Sequence, residues 1–299
     1  MIYSKPALPF AQQLALLQRR GLLIADVAQA ERALARLSYY RLAAYFLSFQ
    51  TPGNATHAFH PGTTFEMVVG LYEFDEALRA LVFRATGVIE VALRAQLAYH
   101  NSLLWGPHWY EDGRTAINPR RFQGNLDALD KDVARAHELF LDHYRATYTS
   151  PRRPPSWMAF EVASFGIISK LLHNLRSSAA IRAIGMYFGV DEVVLKSWAQ
   201  MLSYVRNICA HHSRLWNRTL TIKPVLPRRP RNPWPTGPTP QDDRLYIVLT
   251  ILAYLLDTIE PTTAAVFKQE LKALLTVHPS IPQGVMNFPV GWQQDSFWR

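Results

Sequence analysis

An apolar residue recurs every three or four positions along one stretch of the chain, and this periodicity constrains the fold more than any other feature. The stretch follows Thr64, and its apolar positions are Met67, Leu71, Phe74, Leu78, Leu81, Ala85, Val88 and Ala92. Because an α-helix completes a turn in about 3.6 residues, this spacing predicts one long helix with a single buried side.

Shorter segments on both sides of this helix carry the same helical spacing. We predict helices over residues 10–20, 26–46, 126–144, 156–175, 196–217, 243–259 and 263–275, with a further short helix beginning at Asp191. No segment alternates apolar and polar residues convincingly, as a half-buried strand would. The sequence therefore predicts an all-α protein with a bundle of long helices at its centre.

We predict three regions along the chain. They are an N-terminal helical extension over residues 1–60, a helical domain over 61–277 and a C-terminal tail over 278–299 that packs on the domain. Residues 224–240 hold seven prolines and must be extended. The whole loop, residues 223–240, is either a connection or an RNA-backbone contact through its basic residues Arg228, Arg229 and Arg231.

The net charge is +9, and 25 arginines stand against 7 lysines. Arginine makes forked contacts with phosphate, so a polyanionic partner fits this composition. A GC-rich genome, which writes arginine for lysine, explains it equally well. The single cysteine, Cys209, excludes a disulfide framework and a cysteine-based zinc site.

Nothing in the sequence indicates a membrane, a metal or a cofactor. The N-terminus lacks the pattern of a signal peptide, and the longest apolar run, residues 246–256, is too short to span a bilayer. His57 and His60 have no acidic or cysteine neighbours that would complete a metal site. We expect a soluble cytoplasmic protein that binds no metal and no cofactor.

An arginine followed by a histidine after four to six residues occurs three times in the chain. The pairs are Arg206 with His211, Arg206 with His212, and Arg94 with His100. The composition alone predicts about two or three such pairs by chance, so the spacing by itself carries no weight.

Helical geometry separates the two neighbouring histidines. If the helix runs to residue 217, His212 falls within an apolar arc and is predicted to pack in the core. His211 falls on the opposite side, on a polar stripe with Asn207, Arg214 and Arg218. Arg206 lies about a quarter-turn to one side of this stripe.

These side chains suit RNA cleavage without a metal. Histidine titrates near neutrality and can move the proton of the 2′-hydroxyl or of the leaving group. Arg206 can hold the phosphate oxygens as charge develops on them, and Asn207 can hold the imidazole or the phosphate. Alternatively, the stripe is a solvated polar face, or it binds phosphate without cleaving it.

Segments spread along nearly the whole chain resemble one protein family, and they occur in the family's order. The segment over residues 206–218 closely resembles the signature of the bacterial abortive-infection (Abi) family of the AbiD/AbiF type, which is regarded as part of the HEPN superfamily. The other similar segments are 5–13, Gly21-Leu22, 38–42, Ile89-Glu90, Leu93-Arg94, 154–161, 164–166, 286–289, Trp292 and Phe297-Trp298.

This resemblance implies an all-α, HEPN-like bundle of long helices with a small N-terminal helical extension. It also implies a phage-defence protein, a metal-independent endoribonuclease whose composite site forms between the two copies of a homodimer. In that site Arg206 would bind the scissile phosphate, His211 would be the acid/base residue, and Asn207 the polar residue after the arginine.

The resemblance leaves several points open. Glu90 and Arg94 either form an intrahelical ion pair or orient Arg206 or His211. RNA is the expected partner, with Arg214 and Arg218 as further RNA-binding residues, and a small RNA or an antitoxin-like protein is a candidate regulator. One alternative is a non-catalytic protein that binds a small structured RNA. Another is a protein-interaction module in which the signature segment over residues 206–218 is vestigial.

Overall fold

The computed structural model describes residues 2, 6–53, 56–237 and 241–299. Lys5 of the N-terminal segment and residues 238–240 of the proline-rich loop lie outside the described residues. In the described part of the chain, twelve α-helices and six short 3₁₀ helices make up the regular structure, and the only β-type pairings are isolated bridges. The prediction of an all-α fold is confirmed.

Residues 1–78 form one compact unit and residues 79–299 a second. The first unit contains α1 (Phe10–Arg19), α2 (Val27–Leu37), α3 (Tyr39–Phe46) and the beginning of α4 (Phe65–Trp105). Asp26 begins α2 as predicted, and its carboxylate accepts a hydrogen bond of 2.9 Å from the backbone N–H of Gln29. The predicted limits of the extension, the domain and the tail stay predictions.

The prediction of one continuous helix over residues 26–46 is wrong. Ser38 has a φ of +64°, which ends α2, and its hydroxyl accepts a hydrogen bond from the backbone N–H of Arg41 at the start of α3. Side-chain capping of this kind competes with helix continuation, and apolar periodicity does not reveal it.

The long helix α4 is confirmed and extends beyond its predicted stripe. Its 41 residues end at Trp105, and inside the second unit its buried side continues through Val82, Ile89, Leu93 and Leu97. The long sequence of buried positions explains why this helix could be recognised from periodicity alone.

Eight further helices build the second unit. They are α5 (Pro119–Arg135), α6 (Leu139–Thr147), α7 (Ser156–Val162), α8 (Phe165–Asn174), α9 (Ala179–Tyr187), α10 (Glu192–Ala210), α11 (Leu245–Ile259) and α12 (Pro261–Val277). α8 packs against α5 and α10, α9 packs against α10, and α11 packs against α12. Every residue of α11 from Leu245 to Leu256 is buried, which marks it as the centre of this unit.

Several predicted boundaries in this unit are wrong. The helix predicted over 126–144 is divided between α5 and α6, and the one predicted over 156–175 is divided between α7 and α8. Ser164 causes the second division, since its hydroxyl caps α8 through the backbone N–H of Ile167. The helix α9 was not predicted, and α10 is one continuous helix that Asp191 caps.

The proline-rich loop contains no helix in its described part, and it is fastened to α10 and α11. The indole of Trp198 donates a hydrogen bond of 2.9 Å to the carbonyl of Val225, and its ring stacks on Trp234 at 5.9 Å. The amide of Asn232 donates a 2.8 Å hydrogen bond to the hydroxyl of Thr258.

The C-terminal tail lies against α11. The buried Trp298 donates a hydrogen bond of 2.9 Å from its indole to the hydroxyl of Tyr246. Phe288 and Trp292 pack around the same tyrosine ring. None of the helices in the described residues combines the length and the apolar character needed to cross a bilayer.

Alanine substitutions at two glycines of the second unit should change the free energy of unfolding with opposite signs. A Cβ on Gly185 of α9 would lie 2.7 Å from the carbonyl oxygen of Val190, so Gly185→Ala should lower the free energy of unfolding by about 1–3 kcal/mol. Gly124 of α5 is exposed, and a Cβ there would meet nothing within 4 Å. Gly124→Ala should raise that free energy by about 0.5–1 kcal/mol, and urea denaturation measures both.

Candidate functional site

The carboxylate of Glu90 on α4 lies between two arginine side chains. It forms an ion pair with Arg94 one turn further along the same helix. Its other oxygen, Oε2, lies 3.7 Å from Nε of Arg206 on α10. Glu90 is only 7 % exposed, so its charge is poorly screened by water and acts strongly on both cations.

The two arginines have different surroundings. Arg94 donates to the backbone carbonyls of Phe160 and Glu161, the second at 3.2 Å, and so satisfies acceptors near the C-terminus of α7. Its side chain is 13 % exposed, whereas that of Arg206 is 32 % exposed. Arg206 is therefore the arginine that retains access to solvent and to a ligand.

Arg206 opens onto a cavity of about 330 Å³. The residues that line it are Phe83, Gly87, Glu90, Val91, Arg94, Glu161 and Arg206. The guanidinium of Arg206 lies over the ring of Phe83, with its carbon 5.6 Å from the ring centre, which is a cation–π arrangement. Glu90 and Phe83 together hold the arginine against α4.

The lining residues of α4 were not all identified from the sequence. Glu90 and Arg94 were among the predicted residues, but Phe83, Gly87 and Val91 were not. These positions follow one another at three- and four-residue intervals, so they share one side of the helix. That spacing is a signal in the sequence, but the stronger apolar periodicity of the buried side of α4 dominates it.

Helix α10 ends at Ala210, and the chain then turns. The backbone N–H of His212 donates to the carbonyl of Cys209, and that of Ser213 donates to the carbonyl of Ile208, both at 3.0 Å. His212 has a φ of +54°. These two bonds with a left-handed residue between them form a Schellman motif, in which His212 stands where glycine is most common.

The prediction that His212 packs in the core is wrong. Both His212 and His211 are exposed. The periodic argument assumed a helix that continues to residue 217, and the left-handed turn at His212 removes that assumption. Leu215 and Trp216 are buried as predicted, although they reach the core from the segment after the helix.

His211 caps the helix and stays close to Asn207. Its backbone N–H donates a hydrogen bond of 3.0 Å to the carbonyl of Asn207, so the two residues follow one another on one side of α10. The side chain of Asn207 is exposed, and its oxygen lies 3.5 Å from the guanidinium of Arg206. Among the described residues that line the Arg206 cavity, neither His211 nor His212 occurs.

The predicted RNA-binding arginines fall into two groups. Arg214 and Arg218 lie in the turn after α10 and not on the predicted helical stripe, and Nε of Arg218 donates a 2.7 Å hydrogen bond to the carbonyl of Arg214. Arg228, Arg229 and Arg231 are exposed on the proline-rich segment. That segment contributes no residue to the lining of the Arg206 cavity as far as the chain is described.

A tyrosine that the sequence did not single out lies beside this turn. The hydroxyl of Tyr204 is 3.4 Å from that of Thr221. Burial opposes its ionisation, but hydrogen bonds from Thr221 and Arg218 outweigh burial and lower the pKa of Tyr204. No group of three or more histidine, cysteine, aspartate or glutamate side chains in the described residues is arranged to hold a metal ion.

Comparison with known proteins gives one family. The model of the family described as Abi-like protein matches residues 32–217, which is more than half of the chain. That range contains α10, the turn after it, and Glu90 with its two arginine partners. No curated protein and no solved structure matches the chain.

The left-handed conformation of His212 leads to a prediction about stability. Both His212→Ala and His212→Gly remove the imidazole, but only glycine adopts this φ without strain. The glycine variant should therefore exceed the alanine variant in free energy of unfolding by about 1 kcal/mol. Urea denaturation of both variants measures the difference, and an alanine variant as stable as the glycine variant would refute the assigned turn.

Proposed function

Since the chain belongs to the Abi-like protein family, which suggests a role in abortive infection, we propose that it is a phage-defence protein that acts on RNA. In this proposal it is a HEPN-type, metal-independent endoribonuclease and works as a homodimer. The observation that carries the proposal is the position of Arg206, which a buried carboxylate holds at the edge of a cavity while about a third of its side chain remains exposed.

Arg206 is suited to hold a phosphodiester. Glu90 is buried between Arg94 and Arg206 and balances one of their two positive charges. The second acid of the lining, Glu161, is exposed, so water screens its charge more than that of Glu90. Arg94 is already engaged with the carbonyls near the end of α7. Arg206 is then the cation that meets the phosphate, and Glu90 fixes its orientation before the substrate arrives, which favours charge development in the transition state.

His211 supplies the proton transfer. As a general base its imidazole removes the proton of a 2′-hydroxyl, and the 2′-oxygen attacks the adjacent phosphorus. The bond from phosphorus to the 5′-oxygen breaks, and that oxygen receives a proton from an imidazolium. The products are a 2′,3′-cyclic phosphate and a 5′-hydroxyl. Asn207, next to Arg206 and one turn before His211, is placed to hydrogen-bond the phosphate or the ring.

A second copy of the chain completes this site. Two imidazoles serve the two proton transfers better than one, and the cavity beside Arg206 contains no histidine among its described lining residues. A two-fold axis next to this cavity would bring the Arg206 and His211 side chains of both copies to one RNA strand. The composite arrangement therefore accounts for the separation of these groups within one chain.

Apolar surface next to the cavity supports the dimer. A second depression of about 420 Å³ shares Arg94 and Glu161 with the Arg206 cavity. Its lining includes Tyr99, Leu103 and Trp157, which are all large and exposed. Adjoining apolar groups on a protein surface commonly mark an interaction site.

The remaining basic residues would contact the RNA backbone. Arg214 and Arg218 are half-buried beside the end of α10, and the three arginines of the proline-rich segment are exposed. Contacts of this kind fix the RNA in register without reading its sequence. They also make affinity fall steeply as the salt concentration rises.

A non-cleaving RNA-binding protein is the second candidate function. It is favoured by the exposure of His211 at the end of α10, outside the described lining of the Arg206 cavity. In this case the same basic side chains would hold a small structured RNA. Such an RNA, or an antitoxin-like protein, is also a candidate regulator of the nuclease.

Substitution of the proposed catalytic residues separates the two functions. Labelled RNA is incubated with the purified protein in EDTA. His211→Ala should reduce the cleavage rate by about 10²–10⁴-fold and leave RNA affinity nearly unchanged, because the imidazole moves protons. Arg206→Ala should reduce cleavage by about 10²–10³-fold and weaken binding as well.

The exposed histidine His137, between α5 and α6, provides a matched control. His137→Ala should cleave at the wild-type rate. Cleavage that persists in His211→Ala protein would contradict the assigned mechanism. An intact, shifted RNA band with every protein, including the wild type, would favour the non-cleaving function.

A charge placed on the proposed dimer surface tests the composite site. Leu103 is 71 % exposed and lies outside the Arg206 cavity, so Leu103→Asp should fold normally. It should sediment as a monomer in analytical ultracentrifugation and cleave RNA as poorly as His211→Ala. Leu139→Asp, at the exposed start of α6, is the matched control and should remain a dimer with full activity. Wild-type cleavage by a monomeric Leu103→Asp protein would refute the shared site.

A further inference from the structure

A second cavity of the second unit lies away from Arg206, between α5, α6 and residues 152–154. Its volume is about 590 Å³, which is within the range of small-molecule sites. Charged side chains, among them Glu111, Asp130 and Arg152, line it together with the apolar Leu141 and the ring of Tyr144. We refer to it as the Glu111 cleft.

Much of the polar surface in the Glu111 cleft is already engaged within the protein. The guanidinium of Arg153 donates two 2.8 Å hydrogen bonds to the two oxygens of Asp130, and a third of 3.0 Å to Oε2 of Glu111. The hydrogen bonds with Asp130 raise the pKa of Arg153 despite its partial burial, and those with Glu111 add to the effect. Arg153 therefore serves to fix the two carboxylates.

The tyrosine hydroxyls of this region are engaged too. Tyr110 donates to the carbonyl of Pro154 at 2.5 Å, and Tyr144 lies within hydrogen-bonding distance of the carbonyls of Pro151 and Arg153 at 2.7 and 2.9 Å. Burial, and then the charge of Glu111, raise the pKa of Tyr110 above its usual range. These hydroxyls stay protonated and bonded to the backbone, so they are not donors for Glu111.

One oxygen of Glu111 is left without a donor. Oε1 is buried, and no hydrogen-bond partner for it occurs in the described part of the chain. A buried acceptor without a donor is unfavourable by about 1–3 kcal/mol. Glu111 lines the cleft and its side chain as a whole is 28 % exposed, so a small turn of the carboxylate that keeps one oxygen on Arg153 can present the other to the cleft.

The other side chains of the cleft indicate which further groups a ligand would carry. Arg152 is exposed, and it has no hydrogen bond or ion pair with the described residues, so it can meet an anion at the mouth. Leu141 and the ring of Tyr144 are apolar groups of the lining that a planar ring can contact. The matching ligand carries N–H donors, a planar ring and an anionic group, as a nucleotide does.

We propose that the Glu111 cleft binds a guanine nucleotide, with the base on Glu111 and the phosphate on Arg152. Guanine offers two adjacent donors, N1–H and N2–H, which fit a carboxylate as a fork. Adenine and cytosine place a ring acceptor beside their amino group, and uracil flanks its one donor with two carbonyl groups, so each would set an acceptor against the carboxylate. The nucleotide is either free or an unpaired guanosine of an RNA chain.

Calorimetric titration of the full-length protein with single nucleotides tests the base. Guanosine monophosphate should bind at least about tenfold more tightly than inosine monophosphate, which lacks the 2-amino group, or adenosine monophosphate. Glu111→Gln should remove this preference, since the new amide presents an N–H toward the donors of the base. Asp130 still holds Arg153 in that variant, and Glu138→Gln, an exposed glutamate before α6, is its matched control.

Arg152→Ala tests the phosphate. It should weaken the binding of guanosine monophosphate but leave the affinity for guanosine unchanged, because only the monophosphate carries the anion. A merely structural role of Arg152 would change both affinities or neither, and either result overturns the proposal.

Short uridine-rich oligonucleotides with one guanosine or one adenosine distinguish a free nucleotide from an unpaired guanosine of an RNA chain as the ligand. A preference for the guanosine oligonucleotide without binding of the free nucleotide supports an RNA ligand, and the reverse supports a free nucleotide. Equal binding of guanosine and adenosine compounds, or no binding of either by folded protein, overturns the proposal. The oligonucleotides carry 2′-O-methyl groups, which cannot attack the phosphodiester, so binding is measured without cleavage and these results do not depend on the proposed nuclease.

Discussion

The buried carboxylate of Glu90 is the interaction on which the candidate site depends. Without it, Arg94 and Arg206 would be two like charges at one end of a partly buried cavity, and each would repel the other. With it, Arg94 secures the end of α7 while Arg206 remains at the surface of α10. Glu90 thereby joins α4 to α10, Arg94 joins α4 to α7, and Glu90 positions the cation that the proposed chemistry requires.

The end of α10 is the second constraint. The helix must stop before residue 212, because the left-handed turn at His212 directs Leu215 and Trp216 back into the core. The same turn leaves His211 exposed at the helix terminus, next to Asn207. The histidine and Arg206 thus belong to one helix but face different surroundings, and in the proposed mechanism a second copy of the chain unites them.

The sequence predicted the elements whose signal is local and long. The helix α4 was recognised from its repeated apolar spacing, and α11 from an apolar run that is buried on all sides. The breaks at Ser38 and Ser164 escaped because one capping hydroxyl outweighs the periodicity around it. The burial of His212 was misjudged for a similar reason, since backbone conformation, and not residue type, ends that helix.

The candidate site was only partly predictable. Arg206, Asn207 and His211 were selected from helical geometry, from their chemistry and from the family resemblance, and membership of the Abi family was confirmed by the match over residues 32–217. The cavity beside Arg206 could not be derived, because it depends on which side of α4 meets α10. Phe83 and Glu161 enter the site through that packing, and no pattern within the motif segment indicates either of them.

End-group analysis of RNA after incubation with the wild-type protein in EDTA tests the central claim most directly. The proposed chemistry predicts new fragments with a 5′-hydroxyl and a 2′,3′-cyclic phosphate, because the 2′-oxygen is the nucleophile and no metal-bound water takes part. Fragments with a 5′-phosphate would contradict this mechanism, and RNA that stays intact in a stable complex would contradict the nuclease itself.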